Sequence, residues 1–122
     1  MKKGLILGRF QPLHMGHLSL FEAVIDDGNE LLICIGSSNE ERTNNNPYTS
    51  LERTRMIRSV LSNYNCKYDI FEIPDINNND LYVKHLESIV PEFDLVYSGN
   101  NLVKMLFENA GYPVIVPDLV NR

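Results

Sequence analysis

Apolar residues along this chain fall into short unbroken blocks. Most blocks are followed by a stretch in which apolar positions recur every three or four residues. Gly4 to Leu7 is the first block and stops at Gly8. So short and continuous a run predicts a strand covered on both faces, where alternation would predict a half-exposed one. Leu18, Leu20, Phe21, Val24 and Ile25 then share one face of a helix, and Asp26-Asp27-Gly28-Asn29 ends it with turn residues. Residues 31–36 (LLICIG) predict a second strand, and Ser37 to Thr49 a long polar loop containing Asn44-Asn45-Asn46-Pro47. Ser50 is read as the cap of a helix that carries Leu51, Met56, Ile57, Val60 and Leu61. Three strands follow, at residues 68–73, 94–97 and 112–116. The helices between them are read at residues 81–90 and 102–108, the last ending near Gly111.

Alternation of this kind predicts an α/β fold. It is doubly wound and Rossmann-like, with a five-stranded parallel sheet and helices on both faces. Neither a linker nor an internal repeat interrupts it, so residues 1–122 are read as a single domain. Sheets of this type take ligands at the carboxyl ends of their strands, near the point where strand order reverses. The unusual polar clusters, at residues 8–17, 37–47, 74–80 and 98–101, all fall at those ends.

Composition narrows the function classes. The chain has 122 residues, enough for one hydrophobic core. Its net charge of -5 argues against a broad nucleic-acid footprint, which needs clustered Lys and Arg, but leaves room for a local phosphate site. Its two cysteines form no CxxC pair and sit in no metal-ligand spacing, so neither a zinc site nor any other side-chain metal site is expected. The apolar run before Gly8 is too short for a signal peptide, and no run approaches a membrane span. A cytoplasmic protein without a membrane partner is the expectation.

The first polar cluster carries the candidate chemistry. A helix that begins near Met15 or Gly16 points free backbone N–H groups, and the positive end of its dipole, at the end of the first strand. Gly16 lets a phosphate approach the backbone closely. His14 and His17 donate hydrogen bonds to phosphate oxygens, and Arg9 adds a planar cation. One such histidine alone would read as a loop residue or a helix cap. Two of them around a glycine, directly after a strand and Gly-Arg, read as an anion pocket for a polyphosphate. The chain has no GxxxxGKS, no GxGxxG after the first strand and no GxSxG. That combination suggests transfer by positioning, in which a substrate phosphate attacks a nucleotide and the protein stabilises developing charge.

Gly8-Arg9-Phe10-Gln11-Pro12-Leu13-His14-Met15-Gly16-His17 resembles the signature of the HxGH nucleotidylyltransferase superfamily. Its wording is closest to the archaeal-type nicotinamide-nucleotide adenylyltransferases. Further segments resemble that family in order: Ile35-Gly36-Ser37-Ser38, Asn46-Pro47-Tyr48-Thr49-Ser50-Leu51-Glu52-Arg53, the stretch from Asp75 to Val83, and Val96-Tyr97-Ser98-Gly99-Asn100. The resemblance implies that ATP and nicotinamide mononucleotide give NAD and pyrophosphate with a divalent cation, usually Mg²⁺. Homo-oligomers, often hexamers, are implied as well. By position, His14 and His17 correspond to the phosphate-binding pair, with His17 stabilising the transition state, and Arg9 to a phosphate contact. Gly8, Phe10, Gly16, Ser98, Gly99 and Asn100 correspond to the ATP site. Ser37, Asn79 and Tyr82 correspond to the acceptor site, Tyr82 standing where relatives commonly carry a stacking Trp. An HxGH enzyme with another acceptor (FMN, phosphopantetheine or a small phosphate ester) and a non-catalytic nucleotide-binding domain remain the alternative readings.

Three positions depart from the family pattern or leave a choice open. Asn45 stands where some relatives have an arginine, with Arg42 nearby. Arg53 is read as structural, a partner of Glu52 or Asp80. The sequence given stops at Val120-Asn121-Arg122, where relatives continue into a Ser-Gly-Thr stretch and a further helix; that segment is absent from it, as a fragment or as the natural end of the chain.

Overall fold

Five parallel strands in the order β3-β2-β1-β4-β5 form the sheet of the computed structural model, which describes residues 1–39, 42–44 and 46–117. In chain order the elements are β1 (Lys3–Gly8), α1 (Met15–Asp26), β2 (Glu30–Gly36), α2 (Ser50–Leu61), β3 (Tyr68–Ile73), α3 (Asn79–Glu87), β4 (Leu95–Tyr97), α4 (Asn101–Asn109) and β5 (Val114–Ile115). Asn45 and the segment from Val120 onward lie outside the described residues.

The register explains why the central strands read as continuous apolar runs. β1 pairs with β2 from Lys3↔Glu30 to Gly8↔Ile35, and on its other side with β4 at Gly4↔Leu95 and Leu5↔Val96. Leu5, Ile6 and residues 31–36 of β2 are buried, because each face of the sheet is covered. One face packs Leu20, Phe21 and Val24 of α1 and Ile57 and Leu61 of α2 onto Ile6, Ile33 and Ile35. The other packs Val83 and Leu86 of α3 and Phe107 of α4 onto Leu5, Leu32 and Val96. The chain winds from β1 outward to β3, then crosses back to β4 on the far side of β1. The switch in strand order therefore lies between β1 and β4.

Helix boundaries differ from the sequence reading where polar caps outweigh apolar periodicity. α1 begins at Met15, three residues before the first apolar position of its face, because His14 caps it. Thr49, rather than Ser50, caps α2. Its hydroxyl accepts from the Glu52 N–H (3.0 Å), and the Glu52 carboxylate takes the Thr49 N–H (2.9 Å). α3 starts at Asn79, where the Asn78 side chain accepts from the Asp80 N–H (3.0 Å). It ends at Glu87 rather than at Val90, which precedes Pro91 and is disfavoured from helical geometry. Among the described residues no helix is long and apolar enough to cross a membrane.

Candidate active site

The turn after β1 is held in an unusual shape. Phe10 adopts a left-handed backbone (φ 53°) that few non-glycine residues tolerate. Its ring is buried at 1% exposure, 4.3 Å from the His17 ring and 6.1 Å from Phe21, and that packing holds the turn. On either side of it Arg9 and Gln11 reach the segment that leads into α2. The Arg9 guanidinium donates to the Asn46 side chain (3.2 Å). The Gln11 amide donates to the Tyr48 carbonyl (3.1 Å) and accepts from the Tyr48 N–H (2.8 Å).

The two histidines form a reciprocal cap on α1. His14 Nδ1 accepts from the Gly16 N–H (3.1 Å), and His17 Nδ1 accepts from the His14 N–H (3.1 Å), with the rings stacked at 3.8 Å. A neutral imidazole that accepts at Nδ1 carries its proton on Nε2. The hydrogen-bond pattern therefore assigns an Nε2–H donor to both rings. A Cβ at Gly8 would lie 3.3 Å from His17 Nε2, so that donor sits at the carboxyl end of β1. The sequence reading left the Gly16 N–H open to an anion. In the structure His14 occupies it, and the outward donors are the imidazole Nε2–H groups.

Burial, reinforced by His14, lowers the His17 pKa from 6.5 to about 4. His17 is therefore uncharged at neutral pH. Because the unfolded chain takes up this proton near pH 6.5 and the folded chain only near pH 4, the contribution to stability is whole above 6.5. It falls as the pH drops through that window and levels off below it. The expected loss is on the order of 3 kcal/mol. Urea denaturation between pH 7 and 4 should show this slope in wild type and a flatter one in His17→Gln. Equal slopes would refute the assignment.

Beside Gly8 a cleft of about 270 Å³ opens across the carboxyl ends of β1 and β2 and the start of α4. Leu7, Gly8, Arg9, Gly36, Ser37, Asp75, Tyr82, Asn100 and Val103 line it. Ser37 has a left-handed backbone (φ 52°). Tyr82 is half-buried, and burial, then the proximity of Cys34 and Asp75, pushes its hydroxyl up to about 12, so it remains a neutral phenol. On the β4 side Ser98 is buried and its hydroxyl accepts from the Asn100 N–H (3.0 Å). Asn100 caps α4 by accepting from the Val103 N–H (3.0 Å), and Gly99 between them is exposed.

Of the residues singled out from sequence, Gly8, Arg9, Ser37, Tyr82 and Asn100 meet on this cleft. Phe10, His14, Gly16 and His17 form the helix start beside Gly8, and Ser98 and Gly99 lead into Asn100. Asn79 does not reach the cleft; it borders a separate hollow with residues of α3 and α4. A larger hollow, about 580 Å³, opens at the amino ends of β1 and β4 beside Lys3, Asp94 and Tyr112, and none of the polar loop clusters reaches it.

Sequence reasoning passed over Asp75 and Gln11 as site residues. Only their places in the polar clusters after β3 and β1 hinted at them. Arg53 has the structural role expected of it, through backbone carbonyls. It is fully buried and donates to the carbonyls of Gly36 (3.0 Å), Arg9 (3.2 Å), Ser37 (3.3 Å) and Thr49 (3.3 Å). Glu52 instead pairs with the exposed Arg42 at 3.4 Å. Among the described residues no group of three or more His, Cys, Asp or Glu side chains is placed to hold a metal ion.

The doubly wound parallel sheet thus carries paired imidazoles at its first strand-to-helix turn, beside the cleft. The family model described as cytidylyltransferase-like matches residues 5–121. The nicotinamide-nucleotide adenylyltransferase of Methanococcus aeolicus is 45% identical over 120 residues, spanning 98% of this chain and 70% of that protein. The enzyme of the same name from Pyrococcus furiosus is 40% identical, spanning all of this chain and 67% of that protein. The chain belongs to the nicotinamide-nucleotide adenylyltransferase family, within the cytidylyltransferase-like proteins. A solved structure of a bifunctional NMN adenylyltransferase/ADP ribose pyrophosphatase from Francisella tularensis, in complex with AMP and a manganese ion, shares the fold. Its TM-score is 0.78 at 21% identity, over all of this chain and 38% of that one.

Proposed function

We propose that this protein transfers the adenylyl group of ATP to nicotinamide mononucleotide, with residues 1–122 as its nucleotidylyltransferase domain. The observation that carries the reading is the reciprocal histidine cap, which presents two Nε2–H donors at the β1 turn, one of them next to Gly8 on the cleft. An oxygen of the acceptor phosphate attacks the α-phosphorus. A new P–O bond forms, the bond to the β-phosphate breaks and pyrophosphate leaves. The residues act by placing donors where charge grows, without forming a covalent intermediate. His17 and His14 donate to phosphate oxygens, and Arg9 contacts phosphate from the cleft wall. Gly8 and Gly16 keep the approach free of side chains, and Phe10 holds the turn. Ser98, Gly99 and Asn100 form the adenosine side of the ATP site. Ser37 and Tyr82 receive the acceptor, and Asn79, which lines a separate hollow, has no part in it. The nucleotide's magnesium complex is the substrate, its cation held by phosphate oxygens. The names of the relatives support this reaction.

Incubation of the full-length protein with ATP, Mg²⁺ and nicotinamide mononucleotide should yield NAD and pyrophosphate in equal amounts, and chelation of the cation should stop both. Absence of NAD at every Mg²⁺ or Mn²⁺ concentration would overturn the reading. Pyrophosphate release only with FMN, phosphopantetheine or another phosphate ester would reassign the acceptor.

A further inference from the structure

We propose that Asp75 makes the acceptor site selective for a carboxamide-bearing pyridinium nucleotide over its carboxylate counterpart. The inference rests on the adenylyl-transfer reading and concerns the far end of the same cleft. Asp75 follows β3 and lines the cleft with Tyr82, whereas Arg9 follows β1 and is drawn toward Asn46. β1 and β3 are separated by β2, so their carboxyl ends lie about 10 Å apart at ordinary strand spacing. The cleft thus has the cationic residue Arg9 on one side and the acidic residue Asp75 with an aromatic one, Tyr82, on the other. Nicotinamide mononucleotide has the matching polarity, with an anionic phosphate and a cationic ring.

Asp75 is fixed rather than trailing. Its N–H donates to the Asn39 side chain (2.9 Å), and its Oδ1 accepts from the Asn77 N–H (3.1 Å). His85 Nε2 lies 3.0 Å from the carbonyl of the preceding Pro74. Its Oδ2 takes no hydrogen bond among the described residues. A cationic ring stacked on Tyr82 gains from that carboxylate and from the ring face. A carboxamide offers an N–H to Oδ2, while a ring carboxylate brings a like charge into a partly desolvated site.

The test compares kcat/KM for nicotinamide and nicotinic acid mononucleotides in the full-length protein. It also compares binding of both by calorimetry without ATP. Wild type should favour the carboxamide by about tenfold or more, as expected for one partly screened like-charge contact. Asp75→Asn retains an Oδ1 acceptor for the Asn77 N–H. It should reduce that preference by about tenfold, chiefly through better use of the acid form. Wild type favouring the acid, or an unchanged ratio in the variant, would overturn the inference. If neither nucleotide is adenylylated but calorimetry shows the Asp75-dependent preference, the reaction fails and the selectivity stands. If neither binds, both fail.

Discussion

His17→Ala should lower kcat for NAD formation by about 10²–10³-fold, the range found when one preorganised donor to a developing oxyanion is lost. The loss should fall on kcat more than on KM, because the donor matters most where phosphate charge grows in the transition state. The same change removes half of the reciprocal cap, which costs about 1 kcal/mol of stability. Thermal unfolding and steady-state kinetics on one preparation separate the two effects. A variant that retains more than a tenth of wild-type kcat would remove His17 from the chemistry. His17→Asn keeps a polar side chain for the cap without the ring, and should recover stability without recovering turnover.

Arg53→Met should destabilise the fold by about 2–4 kcal/mol. Methionine approximates the length of the side chain but leaves the carbonyls of Arg9, Gly36, Ser37 and Thr49 without the guanidinium that they share. The charge itself is costly to bury, which offsets part of the loss and keeps the figure below a sum over four bonds. Against a total stability of roughly 5–15 kcal/mol the change is large. It should appear as a lowered urea midpoint with little change in slope. Arg53→Lys keeps the charge but cannot span four carbonyls, so it should fall between the two. A midpoint shift equivalent to less than about 1 kcal/mol for Arg53→Met would show that the strand ends are held together by other contacts.

The fold was legible because strands covered on both faces leave an unbroken apolar signature, and residues 31–36 are buried as that signature requires. Helix starts were less legible. His14 capping α1 and Thr49 capping α2 act through single side-chain acceptors, which apolar periodicity does not register. The histidine pair was legible as a motif, but its tautomers were not. Those depend on which ring nitrogen meets a backbone N–H, a matter of three-dimensional placement. Arg53 sits in an otherwise ordinary amphipathic helix, and the convergence of two strand ends on its guanidinium, which accompanies its complete burial, is not written in that helix. Asp75 was hidden for a similar reason. Nothing in a loop sequence distinguishes a carboxylate that faces a cleft from one that closes a turn, and this one does both.

The crossing from β3 back to β4 also bears on the order in which the molecule is assembled. β1 meets β2 after one helix, through Lys3↔Glu30, but its other neighbour arrives only with Leu95. A chain emerging from the ribosome can therefore complete β1, α1, β2, α2 and β3 while one edge of β1 still waits for its partner. That waiting edge adjoins the cleft, and Asn100, which closes the β4 side, is among the last of its lining residues to be synthesised. The histidine turn thus lies wholly within the part of the chain that is made first. The cleft is completed from the β4 side, by a strand whose Leu95 pairs with Gly4, a non-local contact of the kind that slows folding.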